Sequence, residues 1–416
     1  MTNNERILPI TETAAPTCEA EVVEVLLEAN RDKRPVYPIG GGTWLDYGAT
    51  ATRPGIGLSS KGLDRLIDYP VDDMTITVEA GMTVAKLNEH LAAKGQRLPV
   101  DVPHGLDATI GGLVATGLSG PRRFAYGTIR DYLIGFRAVD GRGMPFGGGG
   151  RVVKNAAGYD MCRLMAGSLG TLAIATQITL QVRPMPETTS MVVCDVADFA
   201  AAERLLAGLV HSKTRPVAVE LLVGPAWEEH PALGPMLHSS AARLLVGFEG
   251  GQAEVDWMVQ QLLDEWRDSD AASPNVIAAD EAEPLWAWMT EFPAQLRIAT
   301  RPSKTVDMVA KLLDWQADCS MQVHAGDGII KVCHWPLLPE RAAEVLGETV
   351  RPAVEADGGR MTVLCCPGNA RLTAEDVWGS PQDALAGNAT AVSRAVKTAS
   401  TRPTYSTPTV TFIDTR

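Results

Sequence analysis

Apolar residues return every three or four positions across 18–34, CEAEVVEVLLEANRDKR, where Val22 stacks with Leu26 and Val23 with Leu27. That spacing predicts an amphipathic helix. Glu19 and Glu21 sit near its start, and Arg31, Lys33 and Arg34 at its end, the sense favoured by the helix dipole. Thr17, behind Pro16, is the expected N-cap. PVYPI follows as a short buried strand running into Gly40, Gly41 and Gly42. Over DDMTITVEAG the period becomes two. Met74, Ile76 and Val78 alternate with Thr75, Thr77 and Glu79, predicting a half-buried strand. A second helix opens at Thr83, aligns Val84, Leu87 and Leu91, and closes at Gly95.

The texture changes over 110–150, where short aliphatic runs are separated by frequent glycines. So apolar a stretch is no disordered linker; it reads as backbone packed tightly around something. A GSLG turn and the strand TLAIATQITLQVR lead to Pro184 and Pro186, which mark a domain boundary. Beyond it come MVVCDV, a helix over 198–210, PVAVELLV, ARLLVGFEG and a helix over 252–267. QLRIATRP, a helix over 303–317, SMQVHAGD, GIIKVCHW, a helix over 340–356 and RMTVLCC complete the series. Strand–helix units followed by hairpins predict an α+β domain with an antiparallel sheet. We place a first domain at 1–186, a second at 187–345, and a segment 346–416 returning to the first domain, irregular after 396.

Composition narrows the function. A formal charge of −13 over 416 residues argues against nucleic acid as a partner. No run reaches the ~18 apolar residues of a membrane span, and MTNNERILPITETAAP lacks the pattern of a signal peptide. The seven cysteines are scattered, form no CxxC and read as reduced thiols. An iron–sulfur site is therefore not expected in this chain.

The glycine run in YPIGGGTWLD fits a nest of backbone amides that holds phosphate. It fits equally a tight loop between two strands. The dinucleotide fingerprint GxGxxG is absent there, and the P-loop pattern is absent throughout.

Five segments in order carry a resemblance: PIGGGT (38–43), VEAGMTVAKLNEHLAAKG (78–95), ATIGGLVATGLSG (108–120), YGTIRDYLIGFRAVDGRG (126–143) and KNAAGYDMCRLMAGSLGTLAIATQITLQVRPMP (154–186). They resemble the FAD-binding fold of vanillyl-alcohol oxidase, p-cresol methylhydroxylase (PCMH) and the FAD-linked D-lactate dehydrogenases. GYDM and YGTIRD look closer still to the FAD-binding subunits of bacterial glycolate oxidase complexes. The resemblance implies a PCMH-type FAD-binding domain of two subdomains plus an α+β cap. It implies that Gly40, Gly41, Gly42 and Thr43 cradle the FAD pyrophosphate, and that Thr109, Gly111, Gly112 and Ala115 lie along the flavin and its diphosphate. Gly120, Tyr126, Gly127 and Asp131 would shape the next loop, while Gly170, Leu172 and Ile174 would meet the adenosine side or ribityl chain. Gly42, Thr43 and Trp44 offer no histidine for a covalent flavin link, so non-covalent FAD is expected.

Oxidation of a 2-hydroxy acid needs a cation for the carboxylate, a base for the hydroxyl proton and a hydride acceptor. His324 and His104 are the candidate bases; Arg297, Arg122 and Arg123 are the candidate carboxylate clamps. Each has a plain alternative as a loop or interface residue. The related catalytic subunits carry GDGN-x-H, with histidines that hold a divalent metal. Here Ile329, Ile330 and Lys331 follow Gly326, Asp327 and Gly328, so the asparagine and the ligand histidine are missing. His324 and His334 alone would give two ligands, so no metal site is expected. The resemblance implies a glycolate-oxidising complex at the cytoplasmic face of the inner membrane, with a second flavoprotein and an iron–sulfur subunit as partners. A self-sufficient D-lactate or other 2-hydroxy-acid dehydrogenase, and a flavoprotein serving only structure or electron relay, stay open. Trp286 and Trp288 read as core aromatics on a helix or as a partner patch. The ending VKTASTRPTYSTPTVTFIDTR departs from the family pattern in a way that a shifted reading frame would explain.

Overall fold

The computed structural model describes residues 8–47, 51–150, 159–228, 230–233, 241–267, 269, 272–333, 335 and 345–365. The ending from 366 onward, with Cys366, His334 and most of the KNAAGYDM segment, lies outside the described residues.

The first domain has two layers. Strand β1 (Ile10–Ala14), helix α1 (Glu19–Arg31), β2 (Val36–Ile39) and β3 (Gly55–Ser59) form a parallel sheet in the order β1-β3-β2. Helix α1 buries Val22, Leu26 and Ala29 against it, each large side chain stabilising the fold by roughly 1.5–3 kcal/mol. Only one of the two expected stacks faces inward, because Leu27 is half exposed. The N-cap is Cys18 rather than Thr17; Glu21 reaches back to the Thr17 amide at 2.7 Å.

The second layer comprises β4 (Leu66–Asp68), β5 (Thr75–Glu79), α2 (Val84–Ala92), β6 (Gln96–Arg97), α3 (Ile110–Thr116), α4 (Arg123–Tyr126), α5 (Ile129–Tyr132), β7 (Leu133–Asp140), β8 (Pro145–Gly149), α6 (Met161–Met165), β9 (Ala173–Gln181) and β10 (Arg183–Pro184). Its antiparallel sheet runs β4-β5-β9-β7-β8. Strand β5 is buried on both faces, not one. On its polar face Thr77 pairs with the Thr179 hydroxyl at 3.0 Å, and Arg65 reaches Glu79 at 2.7 Å.

The second domain is an eight-stranded antiparallel sheet. Its elements are β11 (Thr188–Val196), α7 (Phe199–Leu209), β12 (Ala218–Val223), β13 (Ala242–Gly250), α8 (Gln252–Trp266), β14 (Ala272–Ile277), α9 (Ala279–Thr290), β15 (Leu296–Ala299), α10 (Thr305–Trp315), β16 (Ser320–His324), β17 (Ile329–Cys333), α11 (Arg351–Ala356) and β18 (Arg360–Val363). The order is β14-β11-β13-β12-β16-β17-β15-β18. Residues 345–365 therefore do not return to the first domain as expected. Strand β18 pairs with β15, and Leu346, Val350, Val354, Met361 and Val363 join the core of the second domain.

Each strand of this sheet sends alternate residues to opposite sides. One face packs on α7, α8 and α10 through Val219, Leu221, Ile298, Val323 and Ile330. The other meets α9 and the first domain through Tyr47, Leu118, Leu222, Leu245 and Trp286. Trp286 is 1 % exposed and Trp288 stacks edge-on with Trp227, so both serve packing.

Candidate functional site

The sequence-predicted glycine segments meet in one cleft of the first domain. Gly40, Gly41, Gly42, Thr43, Thr109, Gly111, Gly112, Ala115, Gly170 and Ile174 all line it. Gly42 turns the chain at φ +82°. A Cβ on Gly41 would lie 1.9 Å from the Asp107 carbonyl oxygen, so this loop is pressed against 107–109 and tolerates no side chain. Thr109 caps α3 by accepting from the Gly112 amide at 3.1 Å. Among the described residues no charged side chain lines the cleft. A phosphate group there would be held by amides and by hydroxyls such as Thr43, Ser60 and Ser168.

Five predicted residues lie elsewhere. Leu172 packs into the core of the first domain. Gly120 lies against Asp101, and Asp131 accepts from the Thr128 amide at 2.8 Å beneath Gly127. Tyr126 sits under the Arg97 guanidinium at 5.0 Å, and burial pushes its phenol up to about 12. These four shape the loop that carries Arg122 and Arg123.

A second constellation lies on the face of the eight-stranded sheet turned toward the first domain. Cross-strand register sets Glu220 opposite His324, Gln322 opposite Lys331, and Lys331 opposite Arg297. Side chains facing one another this way are close neighbours. His324 Nδ1 lies 2.7 and 2.9 Å from the two Glu220 oxygens, and Gln322 donates to Glu220 at 3.0 Å. His324 is 1 % exposed and its Nε2 has no partner. Burial, with the charges of Lys331, Arg123 and Arg297, holds the imidazole well below its ordinary value. It is neutral at pH 7, with Nδ1–H directed at Glu220 and a lone pair on Nε2. Burial pushes the Glu220 carboxyl up, opposed by Lys331 and by the Gln322 amide.

The charges of three cations, Arg123, Arg297 and Lys331, act on that ring. Arg123 pairs with Asp327 at 3.3 Å. The side chains of Arg297 and Lys331 hydrogen-bond to no described residue, and burial lowers the pKa of both, Lys331 to about 8. Tyr47 links the two constellations, since it lines the cleft and its hydroxyl feels the Arg297 charge.

The other candidates are otherwise engaged. Arg122 binds Asp101 at 2.8 Å and Glu249 at 2.6 Å and lies 4.0 Å over Trp286. His104 is half exposed and pairs with Glu291 at 3.0 Å. The sequence reading missed Glu220, Gln322 and Lys331. Their signal is visible in retrospect: a charge inside PVAVELLV and another inside GIIKVC, each interrupting an apolar strand.

The FAD binding domain family matches residues 11–146, and the C-terminal domain of FAD linked oxidases matches 185–311. The chain is 30% identical over 344 residues to the mitochondrial D-lactate dehydrogenase [cytochrome] of Arabidopsis thaliana, covering 76% of this chain and 59% of that protein. It is 28% identical to glycolate oxidase subunit GlcD of Bacillus subtilis, covering 83% and 78%. Against glycolate oxidase subunit GlcE of Escherichia coli it is 37% identical over 169 residues, covering 40% and 48%. The chain thus spans about half to four-fifths of these relatives' length. Among solved structures, an alkyldihydroxyacetonephosphate synthase superposes with a TM-score of 0.68 at 17% identity, over 93% of this chain and 75% of that one, and shows the shared fold. The chain joins an FAD binding domain to the C-terminal domain of FAD linked oxidases, and FAD is its cofactor.

Proposed function

We propose that this flavoprotein oxidises a small 2-hydroxy acid, with glycolate the first substrate to test. The observation that carries the reading is the buried, unpaired Nε2 of His324 among Arg123, Arg297 and Lys331. FAD supplies the hydride acceptor. Arg297 and Arg123 bind the substrate carboxylate, Arg297 with its whole guanidinium and Arg123 with the donors that Asp327 and Ser119 leave unused. His324 Nε2 takes the hydroxyl proton as the hydride leaves the adjacent carbon. Glu220 holds the ring and stabilises the imidazolium that forms.

Among the described residues the cleft lining contains neither histidine nor cysteine, which supports a non-covalent flavin. The remaining site assignments, Gly40–Thr43 and Thr109–Ala115 at the diphosphate and flavin and Gly170 with Ile174 at the ribityl or adenosine side, follow the shared cleft. Electrons would leave the flavin for an iron–sulfur partner in a multi-subunit complex, a reading supported by the GlcD and GlcE similarities. Among the described residues no helix is long and apolar enough to cross a membrane, so attachment to one would come through partners.

Anaerobic addition of glycolate, or of D-lactate, to the purified chain tests the reading. Bleaching of the oxidised flavin absorbance is the expected result. A flavin that stays oxidised with every 2-hydroxy acid supplied would leave only a relay or structural role.

A further inference from the structure

The GDGN-x-H pattern of the catalytic subunits that the chain resembles implies a divalent metal at this point of the second domain. The residues here do not fit one. Among the described residues no three His, Cys, Asp or Glu side chains converge on a common point. Glu220 and His324 face each other at hydrogen-bond distance, and Asp327 pairs with Arg123. The position of the ligand histidine in GDGN-x-H is occupied by Lys331, whose ammonium cannot ligate a cation.

Lys331 is 6 % exposed, on β17 between the strands that carry Gln322 and Arg297. Its neighbours across the strands are Gln322 and Arg297, and its charge is felt by Glu220 and His324. Alternation places Ile330 and Val332 in the apolar core behind it, so the side chain cannot turn away from the site. Burying an ammonium without a hydrogen-bonded counterion is costly. Glu220 offsets part of that cost, but its oxygens already accept from His324 and Gln322. A burial of this kind is stable when an anion completes the shell.

We propose that Lys331 is the fixed cation of this site, replacing the divalent metal of the related subunits and binding the substrate carboxylate together with Arg297. The inference rests on the 2-hydroxy-acid reading given above. On it, the site needs no metal ion to take up its substrate.

Oxalate, a two-carbon dianion with no hydrogen to transfer, is the probe. It is titrated into the full-length FAD-loaded chain while the flavin difference spectrum is followed, with and without EDTA, and metal content is measured by mass spectrometry. The expected result is a dissociation constant unchanged by EDTA and metal well below one atom per chain. Lys331→Met, with FAD content equal to wild type, should weaken oxalate about 10- to 100-fold, the worth of a charge-assisted hydrogen bond. Lys331→Arg should recover most of the affinity. Loss of oxalate binding in EDTA with recovery on adding manganese or zinc would overturn the proposal, and that arm needs no variant. So would a Lys331→Met chain that binds oxalate like wild type. Absence of oxalate binding by the wild-type chain would instead overturn the 2-hydroxy-acid reading on which this one depends.

Discussion

Arg122 and Arg123 are neighbours in sequence, and they enter two buried charge clusters of opposite character. Arg122 is saturated. Asp101, Glu249 and Glu283 surround it, Trp286 lies beneath it, and Arg97 completes the Glu249 shell at 2.5 Å. Although burial works against its charge, these acids hold the guanidinium above its ordinary value. Asp101 and Arg122 come from the first domain, Glu249 and Trp286 from the second, so this cluster joins the two. The cluster around Arg123 is unsaturated: Asp327 is its acid partner, and among the described residues Arg297 and Lys331 make no hydrogen bond and His324 Nε2 has no hydrogen-bond partner. Saturated buried charge fixes geometry. Unsaturated buried charge is stable chiefly because something else is to bind, which makes it the functional signal.

The hardest test of that contrast is His324→Gln. It removes the proton acceptor from the unsaturated cluster, and kcat/KM for flavin reduction should fall about 100- to 10,000-fold with FAD content unchanged. Arg122→Met attacks the saturated cluster. It takes the ion-pair partner from Asp101 and leaves Glu249 with Arg97 alone, and should cost about 3–5 kcal/mol in denaturant unfolding, while the rate of flavin reduction by the remaining folded protein stays near wild type. Arg123→Met should do the reverse. Unfolding should shift by about 1 kcal/mol, and KM for the 2-hydroxy acid should rise about tenfold.

The two clusters also separate by pH. Lys331 is depressed to about 8, so it loses its proton as pH rises through that value, and KM should climb above it. His324, held well below its ordinary value, stays neutral down to below pH 6.5, so kcat/KM should show no acid limb near that pH. At the junction, burial pushes Glu249 up, but Arg97 and Arg122 bring it below its ordinary 4.5. Its contribution is present above 4.5 and is lost as pH falls through the lower folded value, so acid should loosen the junction while leaving the alkaline limb untouched. The smallest effect is His104→Ala: a half-exposed pair with Glu291 contributes about 0–1 kcal/mol, and flavin reduction should not change.

Much of this was written locally. The helices at 19–31 and 84–92, the run of strands after 188 and the glycine segments follow from apolar period and from backbone crowding, which act between near neighbours in the chain. The resemblance carried by those glycine segments implied Gly40, Gly41, Gly42, Thr43, Thr109, Gly111, Gly112, Ala115 and Gly170 as one set of contacts, and they share one cleft. The local rules misjudged Val23 and Leu27 against Val22 and Leu26, because which stripe faces inward depends on where the sheet lies. The expectation that 346–416 returns to the first domain fails for 346–365, since a four-residue strand carries no mark of its partner.

What the sequence determined by itself was the cofactor cleft and the class of the second domain: turns and periods need only neighbours along the chain. What tertiary structure alone decided was the role of each charge. Arg122 and Arg123 stand side by side in the sequence. Glu220, His324, Lys331 and Arg297 come from four strands whose order in the sheet is not their order in the chain. Whether a charge is matched depends on through-space distances and on burial, and both exist only once those strands have paired.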